Sequence, residues 1–182
     1  FIAVMGIPWS IKILIAPIMD RYTILSMGRK RPWVIFGQLG LIISFYAIGF
    51  VPDPLNNLKW LMIVGFFINF FGAFQDVATD GMAIDVVPIN EQARTNGLMW
   101  GSVTIGYSLS MLVGTVLINT LGFSSAIPFL AVAVGFIILA PIMFRERSGE
   151  KIMPWTKGEI SENSKNEQSK SWVAILKDLL KV

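Results

Sequence analysis

The sequence contains no cysteine and no histidine. It can therefore form no disulfide, and it lacks thiol nucleophiles, imidazole bases and the usual zinc ligands. Charged side chains are also scarce, at 15% of the 182 residues. They do not form the solvent-facing basic surface that nucleic-acid binding requires. We therefore expect no nucleic-acid partner, no metal and no cofactor.

Hydrophobic residues are abundant instead, at 54% of the chain, and they are gathered into long runs. A helix that crosses a bilayer needs about 20 consecutive apolar residues. The runs predict an all-α membrane protein with about five spans. These spans are residues 1–19, 33–51, 60–84, 96–121 and 123–144.

The basic residues indicate how the spans are oriented. Residues 20–32, 86–95 and 145–182 carry most of the Lys and Arg and fall on one side of the membrane, whereas the other side has only Lys59. Cytoplasmic loops are enriched in Lys and Arg, so we expect these three segments in the cytoplasm and the protein in the inner membrane. The chain begins with Phe1 and shows no signal peptide. We expect it to be a piece of a longer protein, entered inside a helix.

The first basic loop carries a recognisable motif. It resembles the signature G-x-x-x-D-R-x-G-R-[RK], which lies between the second and third helices of major facilitator transporters. The matching residues here are Asp20, Arg21, Gly28, Arg29, Lys30 and Arg31. The sequence differs from the signature at two points, since Ala16 replaces the leading glycine and TILSM is inserted between Tyr22 and Gly28.

A second set of residues resembles one branch of that superfamily. Muropeptide permeases and acetyl-CoA transporters are similar in this longer loop, in a lysine before it, and in a Q-D-x-x-x-D-[GA] run. The corresponding residues here are Lys12, Gln75, Asp76, Asp80 and Gly81. The resemblance covers about the first four fifths of the chain.

The resemblance implies a fold and a function. Residues 1–144 would be helices two to six of the N-terminal six-helix bundle of a twelve-helix fold. Residues 145–170 would be the central cytoplasmic linker, which we expect to be flexible, and 171–182 an interfacial amphipathic helix or the approach to the next span. Helix one and the C-terminal half would be partners outside this chain. The implied protein is a secondary active transporter, not an enzyme, that moves a small polar or anionic solute by alternating access.

Ionisable side chains inside the spans point to a site. Each costs about 2.5 to 3.5 kcal/mol to place at the centre of a membrane helix, so their presence needs a reason. Lys12 and Asp76 lie at similar depth, roughly 12 Å from the cytoplasmic ends of their helices at 1.5 Å per residue. A cation and an anion at one depth can form a pair that offsets much of this cost.

Two interpretations of this cluster stay open. In the first it lines an aqueous cavity, where the lysine holds an anionic substrate and an aspartate takes up a proton. In the second it is a buried structural ion pair that locks two helices. The alternative functions are a membrane-embedded enzyme that uses Asp76 and Asp80 as a carboxylate pair, and a non-transporting receptor or scaffold. The candidate substrate- or proton-binding residues are Lys12, Gln75, Asp76 and Asp80. The missing Gly-Pro signature of antiporters favours symport or uniport.

The signature loop also has two interpretations. Its basic residues can simply fix topology, or the loop can be a conformational latch whose charges connect helix ends. The resemblance implies the latch, with Asp20 stabilising the outward-facing state and Arg94 as a possible partner. The latch residues would be Asp20, Arg21, Gly28, Arg29, Lys30, Arg31 and Arg94.

Overall fold

The structure is a computed structural model that describes residues 2–51, 56–167 and 172. Within these residues the chain is helical and contains no strand. The helices are α1 (Ile2–Ser10), α2 (Lys12–Arg21), α3 (Arg31–Gly49), α4 (Leu58–Val86), α5 (Gln92–Leu121), α6 (Phe123–Ile137), α7 (Leu139–Met143) and α8 (Glu162–Glu167).

The long helices confirm the predicted membrane fold. Four helices of the described chain are long and apolar enough to cross a membrane, with α6 and α7 counted together, and α1 with α2 makes a fifth if this bent pair is one span. That pair bends by 41° at Ile11, between Pro8 and Pro17. Each proline lacks the N–H that would continue the helix ladder, which accounts for a bend in this region.

The core lies where α2, α3 and α4 meet. Its buried apolar residues are Ile15, Met19, Val34, Ala73, Phe74 and Ala78. Glycines let α3 approach α4 closely, since a Cβ at Gly37 would lie 3.0 Å from the Cβ of Gln75, and one at Gly40 would overlap the ring of Phe71. Small residues permit such contact between membrane helices, where dispersion rather than the hydrophobic effect drives packing. The α3–α4 seam therefore forms the rigid centre of the fold.

Gln38 joins α3 to the last span. Its side chain is 1% exposed, and its Nε2–H donates to the carbonyl oxygen of Val134 in α6 at 2.6 Å. That carbonyl is available because the helix breaks at Ile138, whose N–H donates to Gly135 instead. A buried amide inside the membrane is thus used to hold two helices together.

Part of the segment after α7, which the sequence predicts to be a flexible linker, packs against the bundle, while most of its described residues are exposed or half-buried. Glu146, Glu150 and Ser164 are all buried, at 6%, 0% and 0% exposure. The Lys151 N–H donates to the Ser26 carbonyl at 2.8 Å, which fastens the segment to the signature loop. Residues 168–171 and 173–182 lie outside the described residues, and with them most of the predicted interfacial helix. Trp172 is described, and its ring centroid is 6.2 Å from that of Tyr22.

Candidate functional site

The structure brings Lys12 and Asp76 together. Lys12 is the first residue of α2, directly after the bend, and its ammonium group forms an ion pair with Asp76 of α4. The two side chains are 30% and 35% exposed, so the pair is sheltered but open on one side. A charged pair that stays partly open can exchange one partner for a charged solute more cheaply than a fully buried pair can.

An aromatic side chain that the sequence analysis did not single out completes this site. The Lys12 ammonium lies over the indole ring of Trp9 at 4.2 Å from the ring centroid. The Trp9 Nε1–H donates to Asn69 Oδ1 at 2.8 Å, and Asn69 itself donates to the Gly65 carbonyl. Cation–π geometry and the hydrogen bond hold the ring in place beside the ion pair. The three-residue spacing between Trp9 and Lys12 was the signal that could have identified it.

The other two candidate site residues are placed differently. Asp80 is one helical turn from Asp76 on the same face of α4, and it is exposed. Gln75 turns towards the neighbouring helix, because its Cβ lies where a side chain at Gly37 of α3 would be. The arrangement therefore groups Lys12, Asp76 and Asp80, while Gln75 belongs to the α3–α4 seam.

The signature loop forms a charged network at one end of the bundle. Asp20 accepts hydrogen bonds from Arg29 Nη2 at 2.8 Å and from Lys30 Nζ at 2.5 Å. Arg29 Nε also lies 3.3 Å from Asp85 Oδ2, near the end of α4. These contacts connect the end of α2, the loop and the end of α4 through alternating charges. Arg94 is exposed in the first turn of α5, and the described chain shows no ion pair between it and Asp20.

Two glycines of the motifs make room for this network. Gly28 has a φ of +103°, and a Cβ there would lie 2.5 Å from Glu146 Oε2. Both the backbone conformation and the close carboxylate favour glycine. Gly81 lies against the Lys30 side chain, since its Cβ would be 2.9 Å from the Lys30 Cε. The glycines thus let a carboxylate and a lysine approach the backbone.

Glu146 and Arg31 join the start of α3 to the end of α7, at one end of the described bundle. Glu146 Oε2 accepts the main-chain N–H groups of Lys30 and Arg31 at 2.9 and 2.8 Å, where α3 begins. The Arg31 guanidinium, 1% exposed, donates to the carbonyls of Pro141 and Ile142 at 2.6 and 3.0 Å, where α7 ends. The anion caps a helix N-terminus and the cation caps a C-terminus, as the helix dipoles favour.

The following residues extend this contact to α4. Arg147 donates to the Asp85 carbonyl at 2.9 Å and to the Ser164 hydroxyl at 2.9 Å. The Ser164 hydroxyl in turn donates to Glu150 Oε1 at 2.7 Å. Burial raises the pKa of the Glu150 carboxyl, and the charge of Glu146 adds to the shift, against the hydrogen bond from Ser164. The segment therefore contacts the ends of three spans.

Among the described residues, no group of three or more acidic side chains could hold a metal ion. The site consists instead of one cation, one paired and one exposed carboxylate, an aromatic ring and an amide. Such a set offers a cation and an aromatic ring to a solute, beside two carboxylates on one face of α4.

The family profile described as Major Facilitator Superfamily matches residues 2–181. The anhydromuropeptide permease of Escherichia coli K12 is 34% identical over 113 residues, which are 62% of this chain and 22% of that protein. A putative transporter AmpG 3 of Rickettsia prowazekii is 29% identical over 119 residues, 63% of this chain and 27% of that protein. An uncharacterized protein of Haemophilus influenzae is 35% identical over 96 residues, 52% of this chain and 22% of that protein.

The chain spans only about a quarter of the length of these curated relatives, since the matched shares run from 22% to 27%. No solved structure matches the chain.

Proposed function

Because this chain belongs to the major facilitator superfamily, we propose that it is part of a secondary active transporter that moves a small polar or anionic solute by alternating access. The chain is from a multi-pass inner-membrane protein, as its family and its apolar helices indicate. The names of its relatives, a permease and putative transporters, support the proposal. The remaining helices of the same protein would complete the cavity, and the lipid bilayer would surround it.

The observation that carries the proposal is the Lys12–Asp76 ion pair beside Trp9. The pair joins α2 to α4, and in the described chain both partners lie on a side that only the remaining helices of the protein could enclose, as a cavity shared with those helices requires. An anionic group of the solute can replace Asp76 as the partner of Lys12, and the Trp9 ring offers a flat apolar surface for a sugar. We propose a muropeptide-like solute, which combines both features, in line with the name of the Escherichia coli relative.

The replacement of Asp76 by the solute as the partner of Lys12 also suggests how a proton could be coupled to transport. When the solute takes Lys12, Asp76 is left without a counter-charge inside the membrane, where an unpaired charge is costly and a bound proton would neutralise it. Asp76 and the exposed Asp80 are the two acids on this face of α4. We propose that one of them carries the proton, and that the Asp20 network at the end of α2 stabilises one of the two alternating states.

An enzymatic role for Asp76 and Asp80 is less well supported. Acids that share a proton in catalysis have carboxyl groups about 3 Å apart. Residues four apart on a helix have Cβ atoms about 5 to 6 Å apart, and Asp76 is already paired with Lys12. The pair is thus better suited to binding than to acid catalysis.

Uptake into proteoliposomes made with the full-length protein would test the proposal. We expect a labelled muropeptide to accumulate with an inward proton gradient, and Lys12→Gln and Asp76→Asn to lower uptake at least about tenfold, as expected when one charged contact is lost. Lys59→Gln is the matched control, because Lys59 is exposed near the start of α4, away from the pair. Absence of flux with the wild-type protein would contradict transport, and normal flux in both site variants would contradict the site.

A further inference from the structure

A groove lies outside the charged network, between the end of α2 and the start of α3. Its volume is about 490 Å³, and its walls include Arg21, Tyr22, Ile24, Trp33 and Phe36. Trp33 closes the base, because its Nε1–H donates to the Tyr22 carbonyl at 2.7 Å. The groove is therefore a formed feature with a fixed aromatic wall.

Arg21 brings an uncompensated positive charge to this groove. Its neighbour Asp20 is already occupied by Arg29 and Lys30, and the described chain gives Arg21 neither a hydrogen bond nor an ion pair. The Nε–H group of Arg21 is buried and has no hydrogen-bond acceptor in the described chain. The guanidinium carbon lies 5.9 Å from the Tyr22 ring centroid, which orients the group without neutralising it. An arginine in this state is available to an anion from outside the described chain, and a phosphate fits its fork of donors.

The rest of the wall indicates what the anion is attached to. Tyr22, Ile24 and Phe36 are 56%, 52% and 46% exposed although the Trp172 ring lies 6.2 Å from that of Tyr22, so the groove presents apolar surface outwards. Arg21 ends one span and Arg31 begins the next, which places the groove at the boundary between hydrocarbon and water. Tyrosine and tryptophan favour this depth, and the basic loops mark the cytoplasmic side, where acidic lipids are found.

We propose that this groove binds one acidic phospholipid of the inner leaflet. Its phosphate contacts the Arg21 guanidinium, and an acyl chain lies along Phe36 and Ile24. A soluble phosphate ester shares the phosphate chemistry but gains nothing from the apolar wall, so affinity for the chain-bearing form distinguishes the two sources.

Native mass spectrometry of the delipidated full-length protein in detergent tests the proposal. With phosphatidylglycerol and phosphatidylcholine at equal concentration, we expect one phosphatidylglycerol to be retained in preference. Arg21→Gln should lower its affinity about tenfold, the loss typical of one charge-assisted hydrogen bond. Arg145→Gln is the matched control, since it removes one exposed positive charge from the same side of the membrane. Equal retention of the two lipids, or an equal loss in both variants, would overturn the proposal.

Two further measurements keep the test decisive if Arg21→Gln folds poorly. Arg21→Lys keeps the charge and should retain most of the preference for phosphatidylglycerol. Phosphatidylglycerol with brominated acyl chains should quench tryptophan fluorescence more than the brominated phosphatidylcholine does, and Trp33→Phe should lower that difference. Glycerol phosphate should not displace the lipid. Displacement at equal concentration would assign the groove to a soluble anion, and quenching that does not depend on Trp33 would place the lipid elsewhere.

Discussion

Glu146 and Arg31 cap the ends of two different helices and lie side by side, although 115 residues separate them in sequence. The carboxylate of Glu146 accepts hydrogen bonds from the first N–H groups of α3, and the guanidinium of Arg31 donates hydrogen bonds to the last carbonyls of α7. Buried main-chain groups at helix ends cost free energy when they have no partner. The two side chains therefore hold the first and last spans of the α3–α7 region in register.

Glu146→Ala should destabilise the protein by about 2 to 3 kcal/mol, because two buried N–H groups lose their acceptor. Glu146→Gln keeps an acceptor oxygen and should cost about half as much. Thermal unfolding in detergent measures the difference. Glu159→Ala, at an exposed position in the same segment, is the control and should change little. A Glu146→Ala protein as stable as this control would contradict the capping role.

Gly40→Ala should weaken the α3–α4 seam by about 1 to 3 kcal/mol, the usual cost of overpacking. The added methyl group would overlap the Phe71 ring, which is itself packed against Phe36. Gly106→Ala makes the same change in α5, where no atom of the described chain lies within 4 Å of the added carbon, and should cost less than Gly40→Ala. Equal unfolding temperatures for the two variants would show that the seam is looser than described.

Lys12→Gln and Asp76→Asn should show coupled effects on stability. Each single change leaves one charge without its partner, while the double change removes both. Because both side chains are about a third exposed, the coupling energy should be modest, about 1 kcal/mol. A double-mutant cycle of unfolding temperatures in detergent measures it, and strictly additive effects would contradict the pair.

Stability should depend on pH through Glu150. Its pKa in the folded protein is raised above the ordinary 4.5. Between pH 4.5 and the pKa of the folded protein, the folded state therefore binds more protons than the unfolded state. The stabilisation is complete below pH 4.5 and is lost as the pH rises through the folded pKa. Unfolding temperatures should therefore fall across this window in the wild type, relative to Glu150→Gln. The same slope in both proteins would assign the pH dependence to another group.

The sequence sufficed to place the spans and to anticipate the Lys12–Asp76 contact. Long apolar runs leave few alternatives for the spans, and the cost of a charge in hydrocarbon restricts Lys12 to a small number of partners at its depth. The signature motif also identified Gly28, but the sequence did not show why a glycine is needed there, which is the nearby Glu146 carboxylate. These features depend on local pattern and on the membrane.

Contacts between charges near the membrane surface could not be predicted in the same way. In the sequence, Arg31 and Glu146 are not distinguishable from ordinary loop charges, because water and many other side chains can be their partners at the ends of the spans. The sequence suggested Arg94 as a partner of Asp20, whereas the structure gives Asp20 partners from its own loop. The polar composition of residues 145–170 likewise predicts a flexible linker. The sequence alone does not distinguish the buried Glu150 from an exposed acid, because its contact with Ser164 is seen only in the structure.

The contact between Glu146 and the start of α3 also sets a sequence of events during synthesis. A chain emerges from the ribosome N-terminus first, so α3 is made long before its capping carboxylate exists. The first turn of α3 remains without this acceptor until residue 146 has been added. Closure of this end of the bundle is therefore a late step in assembly, completed only after all the described spans have been translated.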